Sequence, residues 1–231
     1  MRWYRDHEGT QQVYLKDAEI DEITEGELRK AGLMPTVDTC RVDIEVFVER
    51  HLGAHLDLGA ALDDDVLGVT ELRRGEPARI LINRDLTDSA FEIDEYSGTL
   101  GRWRATLAHE GTHVLLHGFL FDLDPDQQSM FAEETIADDR LVRCYKRDTS
   151  FAGRSRDPRE FQANKGMAAL LMPRSVFGEA ARDLVAATET APQIVEQLAR
   201  RFEVSRQAAR IRLSALGFLS SEGTATTGLF P

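Results

Sequence analysis

Cysteine is scarce in this 231-residue chain, which has Cys40 and Cys144 and no C-x-x-C pair. Two isolated thiols do not make a disulfide framework, and they fit a reducing compartment. Long hydrophobic runs are lacking too. Nothing approaches the roughly 20 apolar residues that span a bilayer. Met1-Arg2-Trp3-Tyr4-Arg5-Asp6 leads into charged sequence without the apolar core of a signal peptide. The expectation is a cytoplasmic protein with no membrane partner. Positive charge is in deficit, with 28 Lys+Arg against 40 Asp+Glu and a net charge of −12. That deficit belongs to the first part of the chain: residues 1–97 carry 23 acids and 11 bases, residues 98–231 carry 17 of each. An acidic chain is a poor general binder of nucleic acid, although a local basic patch survives that argument. Composition is otherwise that of a globular protein, at 42% hydrophobic and 29% charged, with no repeat and no low-complexity tract.

Hydrophobic spacing predicts a helix over residues 17–32, ended by Gly32 and Pro35, and a second over 37–52 with Asp38 as N-cap. Three strands follow: His55–Leu58, Val66–Leu72 and Ala78–Asn83. The turn signal Arg73–Pro77 makes a hairpin of the last two, with Ile80 and Ile82 on one face. A loop is expected through Ser89–Gly98. Thr99–His117 is the strongest helix, with Gly118 placed as a C-terminal cap. The Arg-rich stretch 122–156 reads as a solvated insertion, helical over Met130–Tyr145. Asp157-Pro158-Arg159-Glu160 opens a helix that runs to Leu171 and stops at Pro173. Helical segments over 174–190 and 192–217 precede a loose tail, Ser220–Pro231.

The chemistry concentrates in His109-Glu110-Gly111-Thr112-His113. On a helix, positions i and i+4 share a face, about 5–6 Å apart at Cβ, so two imidazoles can converge on one Zn²⁺ at about 2.0–2.1 Å. Glu110 follows the first ligand by one residue and can reach a water at the metal without occupying it, which suits metal-assisted hydrolysis. Apolar neighbours, Leu107-Ala108 before and Val114-Leu115-Leu116 after, imply a buried helix, where polar side chains need partners. Catalytic zinc takes three protein ligands. His117 lies about 12 Å of helix rise beyond His109, too far to share the metal, and reads as a residue packing or hydrogen-bonding beside the site. Glu133, 20 residues past His113, and Glu160 are both candidates for the third position. Glu160 also fits as N3 of a capping box behind Asp157 and Pro158.

Flanking residues extend the motif. Arg104-Ala105-Thr106-Leu107-Ala108-His109-Glu110-Gly111-Thr112-His113-Val114-Leu115-Leu116-His117 resembles the R-x-T-L-A-H-E-L-G-H-x-L-L-H signature of the ImmA/IrrE family of metallopeptidases. Downstream, Glu160-Phe161-Gln162-Ala163-Asn164 and Ala168-Ala169-Leu170-Leu171-Met172-Pro173 resemble that family's E-x-x-A-N-x-F-A-A-x-L-L-M-P block. Gly111-Thr112 stand where the family has Leu-Gly, and Gly166-Met167 where it has Phe-Ala. The resemblance implies that His109, His113 and Glu160 hold zinc, that Glu110 is the catalytic acid/base, and that His117 and Asn164 stand in the shell around the ligands. It prefers Glu160 to Glu133. Tyr96, Tyr145 and the Arg-rich stretch are candidates for stabilising the oxyanion. Known members of the family cleave helix-turn-helix transcriptional repressors, so the resemblance implies a protein substrate of that kind and derepression of stress or mobile-element genes.

Leu198–Arg210 resembles a helix-turn-helix, with Ser205 capping its second helix and Gly217 ending it. Arg200, Arg201, Arg206, Arg210 and Arg212 outnumber Glu196 and Glu203 there. This supports a rival reading, a DNA-binding, toxin–antitoxin or phage accessory regulator whose metal site is degenerate. The expected architecture is α+β: a zincin-like peptidase domain over 1–180, with a small sheet on the H-E-x-x-H helix, a helix-turn-helix-like unit over 181–219, and a flexible tail over 220–231.

Overall fold

A computed structural model describes residues 2–5, 11–73, 75–92, 98–119, 139–145, 158–187 and 190–219. The fold is mixed α+β. A short antiparallel ribbon, β1 (Arg2–Arg5) and β2 (Gln11–Tyr14), precedes helix α1 (Asp17–Lys30), which Gly32 closes at φ 69°. A brief helical turn α2 (Ile44–Val46) runs into a π-helical turn over Phe47–His51. The sheet strands are β3 (His55–Ala60), β4 (Val66–Arg73), β5 (Arg79–Asn83) and, much later, β6 (Asp139–Tyr145). Between them lie α3 (Arg84–Phe91) and α4 (Gly98–His117). Four helices complete the chain: α5 (Pro158–Leu171), α6 (Arg174–Ala186), α7 (Ala191–Phe202) and α8 (Arg206–Ala215).

The strand order is β3-β5-β4-β6, with β3 parallel to β5 and the other pairs antiparallel. The hairpin of β4 and β5 forms as its turn chemistry predicts, and Ile80 and Ile82 are both fully buried. Helix α4 crosses β4 and β5 and packs along α5. Every residue from Trp103 to His113 is buried, so this stretch of α4 has no solvent face. One core, including Phe47, Ile80, Leu107, Met167, Phe177, Phe202 and Leu213, runs from the sheet to α8. A smaller cluster of Val13, Leu15, Ile20, Leu116 and Ala169 lies beneath the N-terminal ribbon.

Two glycines set how closely α4 is approached. A Cβ on Gly111 would come within 2.8 Å of Val48 Cγ2, and one on Gly166 within 2.2 Å of Thr112 Cγ2. Thr112 on α4 and Gly166 on α5 therefore meet as a large and a small residue, a fit that close packing makes sensitive to any added volume.

Three expectations need correction. Residues 37–52 do not form one helix from Asp38: the helical part starts at Ile44, and Asp43 caps it by accepting from Val46 N at 3.1 Å. Ser89 to Phe91 belong to α3, whose N-cap Asn83 accepts from Asp85 N at 2.9 Å. The segment 139–145 is a strand, because pairing with β4, some 70 residues away in sequence, outweighs local helical spacing. The N-terminal ribbon was not anticipated at all. The expected helix over 130–138 and the tail 220–231 lie outside the described residues.

Candidate metal centre

Three of the six histidines of the chain sit one helical turn apart on α4, at 109, 113 and 117. The i, i+4 spacing puts their rings on one face, and α5 crosses that face with Glu160 in its first turn. His109 Nε2 lies 3.1 Å from His113 Nε2 and 3.2 Å from Glu160 Oε2, and His113 Nε2 lies 3.3 Å from Glu160 Oε1. Both imidazoles are fully buried, and the Glu160 side chain is 13% exposed. These three residues form the one group among the described residues with three His, Cys, Asp or Glu donors close enough to share an ion.

The distances test the fit to a metal directly. Donors about 2.0–2.1 Å from a tetrahedral centre stand about 3.3 Å from one another. The His109–His113 separation, and the distance of each imidazole to its own Glu160 oxygen, Oε2 for His109 and Oε1 for His113, are close to that edge, and two imidazole nitrogens with a carboxylate are a zinc-type donor set. Sequence alone placed Glu160 either as a helix cap or at the metal. Its carboxylate faces the histidines. Asp157, the other half of the capping pattern, and Glu133 lie outside the described residues.

Charge follows geometry. Burial pushes the Glu160 carboxyl up, but hydrogen bonds and charge from His109 and His113 outweigh it and hold the group well below the usual carboxylate range. Burial lowers His113, against the opposing pull of Glu160. Burial, helped by the charges of His113 and Arg159, lowers His117 well below an ordinary histidine. Burial thus favours the neutral forms of His113 and His117, while the histidines beside Glu160 favour its ionised form.

Glu110 is fully buried and turned toward the sheet rather than toward Glu160. Thr70 on β4 donates its hydroxyl to Glu110 Oε2 and approaches the Glu110 carbonyl at 3.3 Å. Gly68, two residues earlier on the same face of β4, has no side chain to collide: a Cβ there would stand 2.9 Å from Glu110 Oε1. The absent Cβ at Gly68 and the hydroxyl at Thr70 make a slot for the carboxylate. Neither residue was singled out from sequence, and the only signal was a glycine inside a strand, which marks close approach of another group.

His117 stands 3.1 Å, Nδ1 to Nδ1, from His113. It is not beside Glu160 or His109, as helix rise predicted. Asn164 follows Glu160 by one turn. Its buried Oδ1 has no hydrogen-bond partner among the described residues, and the side chain lines a cavity of about 80 Å³ with Asp21, Lys165 and Arg212. Tyr96 lies outside the described residues. Tyr145 ends β6 opposite Val66.

No helix among the described residues is long and apolar enough to cross a membrane. No curated protein matches the chain. Residues 143–214, which include Glu160 and α5 to α8 but not the H-E-x-x-H helix, match the family model Peptidase_M78, described as the IrrE N-terminal-like domain, so that the chain resembles the ImmA/IrrE metallopeptidases in a segment independent of its histidine motif.

Proposed function

We propose that the chain is a zinc-dependent endopeptidase with a zincin-like site, and that its substrate is a helix-turn-helix transcriptional repressor. The observation that carries the catalytic reading is the closure of His109, His113 and Glu160 at tetrahedral-edge distances inside a buried helix pair. The family match and the signature residues support the substrate class.

His109 and His113 would hold the metal through Nε2, and Glu160 would hold it through its carboxylate. When bound, zinc supplies Lewis acidity that polarises the scissile carbonyl and acidifies water. Glu110 is the acid/base: it accepts the proton of the attacking water and delivers it to the leaving amine. Thr70 holds the carboxylate through its hydroxyl, and Gly68 leaves the room that the carboxylate occupies, so the buried base has little freedom to swing away. Burial of the whole α4 face keeps bulk solvent from competing for these groups.

The test is a co-expression assay with candidate repressors. The wild type produces repressor fragments, and Glu110→Gln, which keeps size and removes the base, produces none while retaining zinc. Full regulatory output from Glu110→Gln, with no fragments from wild type, contradicts the peptidase reading.

A further inference from the structure

The second nitrogen of His113 has a partner that the catalytic reading leaves unused. His113 Nε2 faces the other two donors, while His113 Nδ1 lies 3.1 Å from His117 Nδ1. The rings are 5.2 Å apart at an interplanar angle of 45°, and both are buried, at 0% and 3% exposure. We infer that His117 is a positioning residue for the metal: its Nδ1 accepts the Nδ1–H of His113, and so fixes His113 in the tautomer whose Nε2 lone pair is free for the ion. This rests on the reading of His109, His113 and Glu160 as zinc ligands.

Two neutral imidazoles meeting nitrogen to nitrogen share one proton, so one donates and the other accepts. If His117 donates, His113 must carry its own proton on Nε2, aimed at the point where the three donors converge, and no cation can sit there. If His117 accepts, His113 Nε2 presents a lone pair. The pair is therefore a two-position tautomer device, and metal binding requires one position. Ligand histidines are ordinarily held by a carboxylate, a backbone carbonyl or water. A neutral imidazole in that place orients the ring without adding a second negative charge beside Glu160. It also explains a third histidine on the same face that is too far along the helix to be a ligand. His117 then carries its proton on Nε2, an atom with no hydrogen-bond partner among the described residues.

The experiment compares wild type, His117→Leu and His117→Asn. Leucine fills the volume without an acceptor. Asparagine places Oδ1 at the position of the histidine Nδ1 and can accept. Zinc affinity, measured by chelator competition, falls tenfold to a hundredfold in His117→Leu, the usual effect of losing such a partner. It recovers in His117→Asn. Nitrogen-15 spectra of the zinc-loaded wild type show His117 neutral with its proton on Nε2, and a coupling across the Nδ1–H···Nδ1 bond. The inference is overturned if His117 is protonated on Nδ1, or if a folded His117→Leu binds zinc as tightly as wild type. Should His117→Leu fail to fold, the wild-type spectra and the asparagine variant decide alone. Wild type that takes up no zinc overturns the ligand reading itself. Zinc uptake undiminished by His117→Leu removes only the role of His117.

Discussion

Polar side chains gather in two helical regions of this molecule, and they gather differently. On α4, the nitrogens of His109 and His113 meet each other and the two carboxylate oxygens of Glu160 at 3.1–3.3 Å, a group that could hold a metal ion. On α7 and α8, where the sequence resembles a helix-turn-helix, the arginines turn to protein partners. Arg212 is buried, donates to Asp21 Oδ1 at 2.6 Å and to the Met172 carbonyl at 3.1 Å, and so joins α8 to α1 and to the end of α5. Arg200 and Arg206 both pair with Glu196. Glu203, in the turn between the helices at φ 50°, reaches Arg41 at 3.0 Å and the buried Arg104 of α4 at 3.7 Å. A surface built to read DNA directs arginines at phosphates and base edges. Here three of the five are occupied within the fold. The comparison teaches that a motif of charges says little until their partners are known.

The largest effect that sharpens this contrast falls on α4. Glu110→Gln lowers the rate of repressor cleavage by about 10² to 10⁴, the range of general acid–base catalysis, with zinc content unchanged. Single-turnover cleavage of a purified repressor measures it. Next comes Arg212→Ala, which leaves Asp21 buried without its partner and destabilises the protein by about 3–5 kcal/mol in urea unfolding. An unaltered unfolding midpoint there would return Arg212 to the DNA-reading account.

Gly166→Ala comes third. Its methyl overlaps Thr112 and costs about 1–3 kcal/mol. Thr112→Ser in the same chain removes the colliding methyl, keeps a hydroxyl for the Ala108 carbonyl, and recovers most of the loss. Thermal unfolding of the single and double variants reads the coupling. The smallest effect is that of Arg206→Ala/Arg210→Ala, both exposed. Repressor cleavage stays at the wild-type rate, and a gel shift shows no salt-dependent DNA complex to lose. A shift abolished by this double variant would restore DNA binding as a function of α8.

Much of this was legible in the sequence, for reasons that separate local from distant causes. The i, i+4 spacing of His109 and His113 and their apolar flanks specify a buried helix with two converging imidazoles, because helical periodicity is a local property. Helix rise alone sets His117 too far from His109 to share a metal with it, and the structure puts its Nδ1 3.1 Å from His113 Nδ1. Local sequence leaves Glu160 open between a cap and a ligand, because nothing local reports which helix it will face. The slot for Glu110 was not legible: Gly68 and Thr70 lie some 40 residues upstream, and only strand register brings them under the carboxylate. The same distance effect hid β6, whose partner strand precedes it by about 70 residues. The close fit of Thr112 against Gly166 is hidden in the same way, because some 50 residues separate the two.

The account stands on the three donors acting as one metal site, and zinc stoichiometry with affinity tests that most directly. Wild type is expected to hold one zinc per chain. His109→Ala and His113→Ala should lose it. Glu160→Gln should weaken it far more than Glu133→Gln, because a neutral amide is a poorer zinc ligand than a carboxylate. Full zinc content in both histidine variants, or loss confined to Glu133→Gln, would contradict the site built from His109, His113 and Glu160.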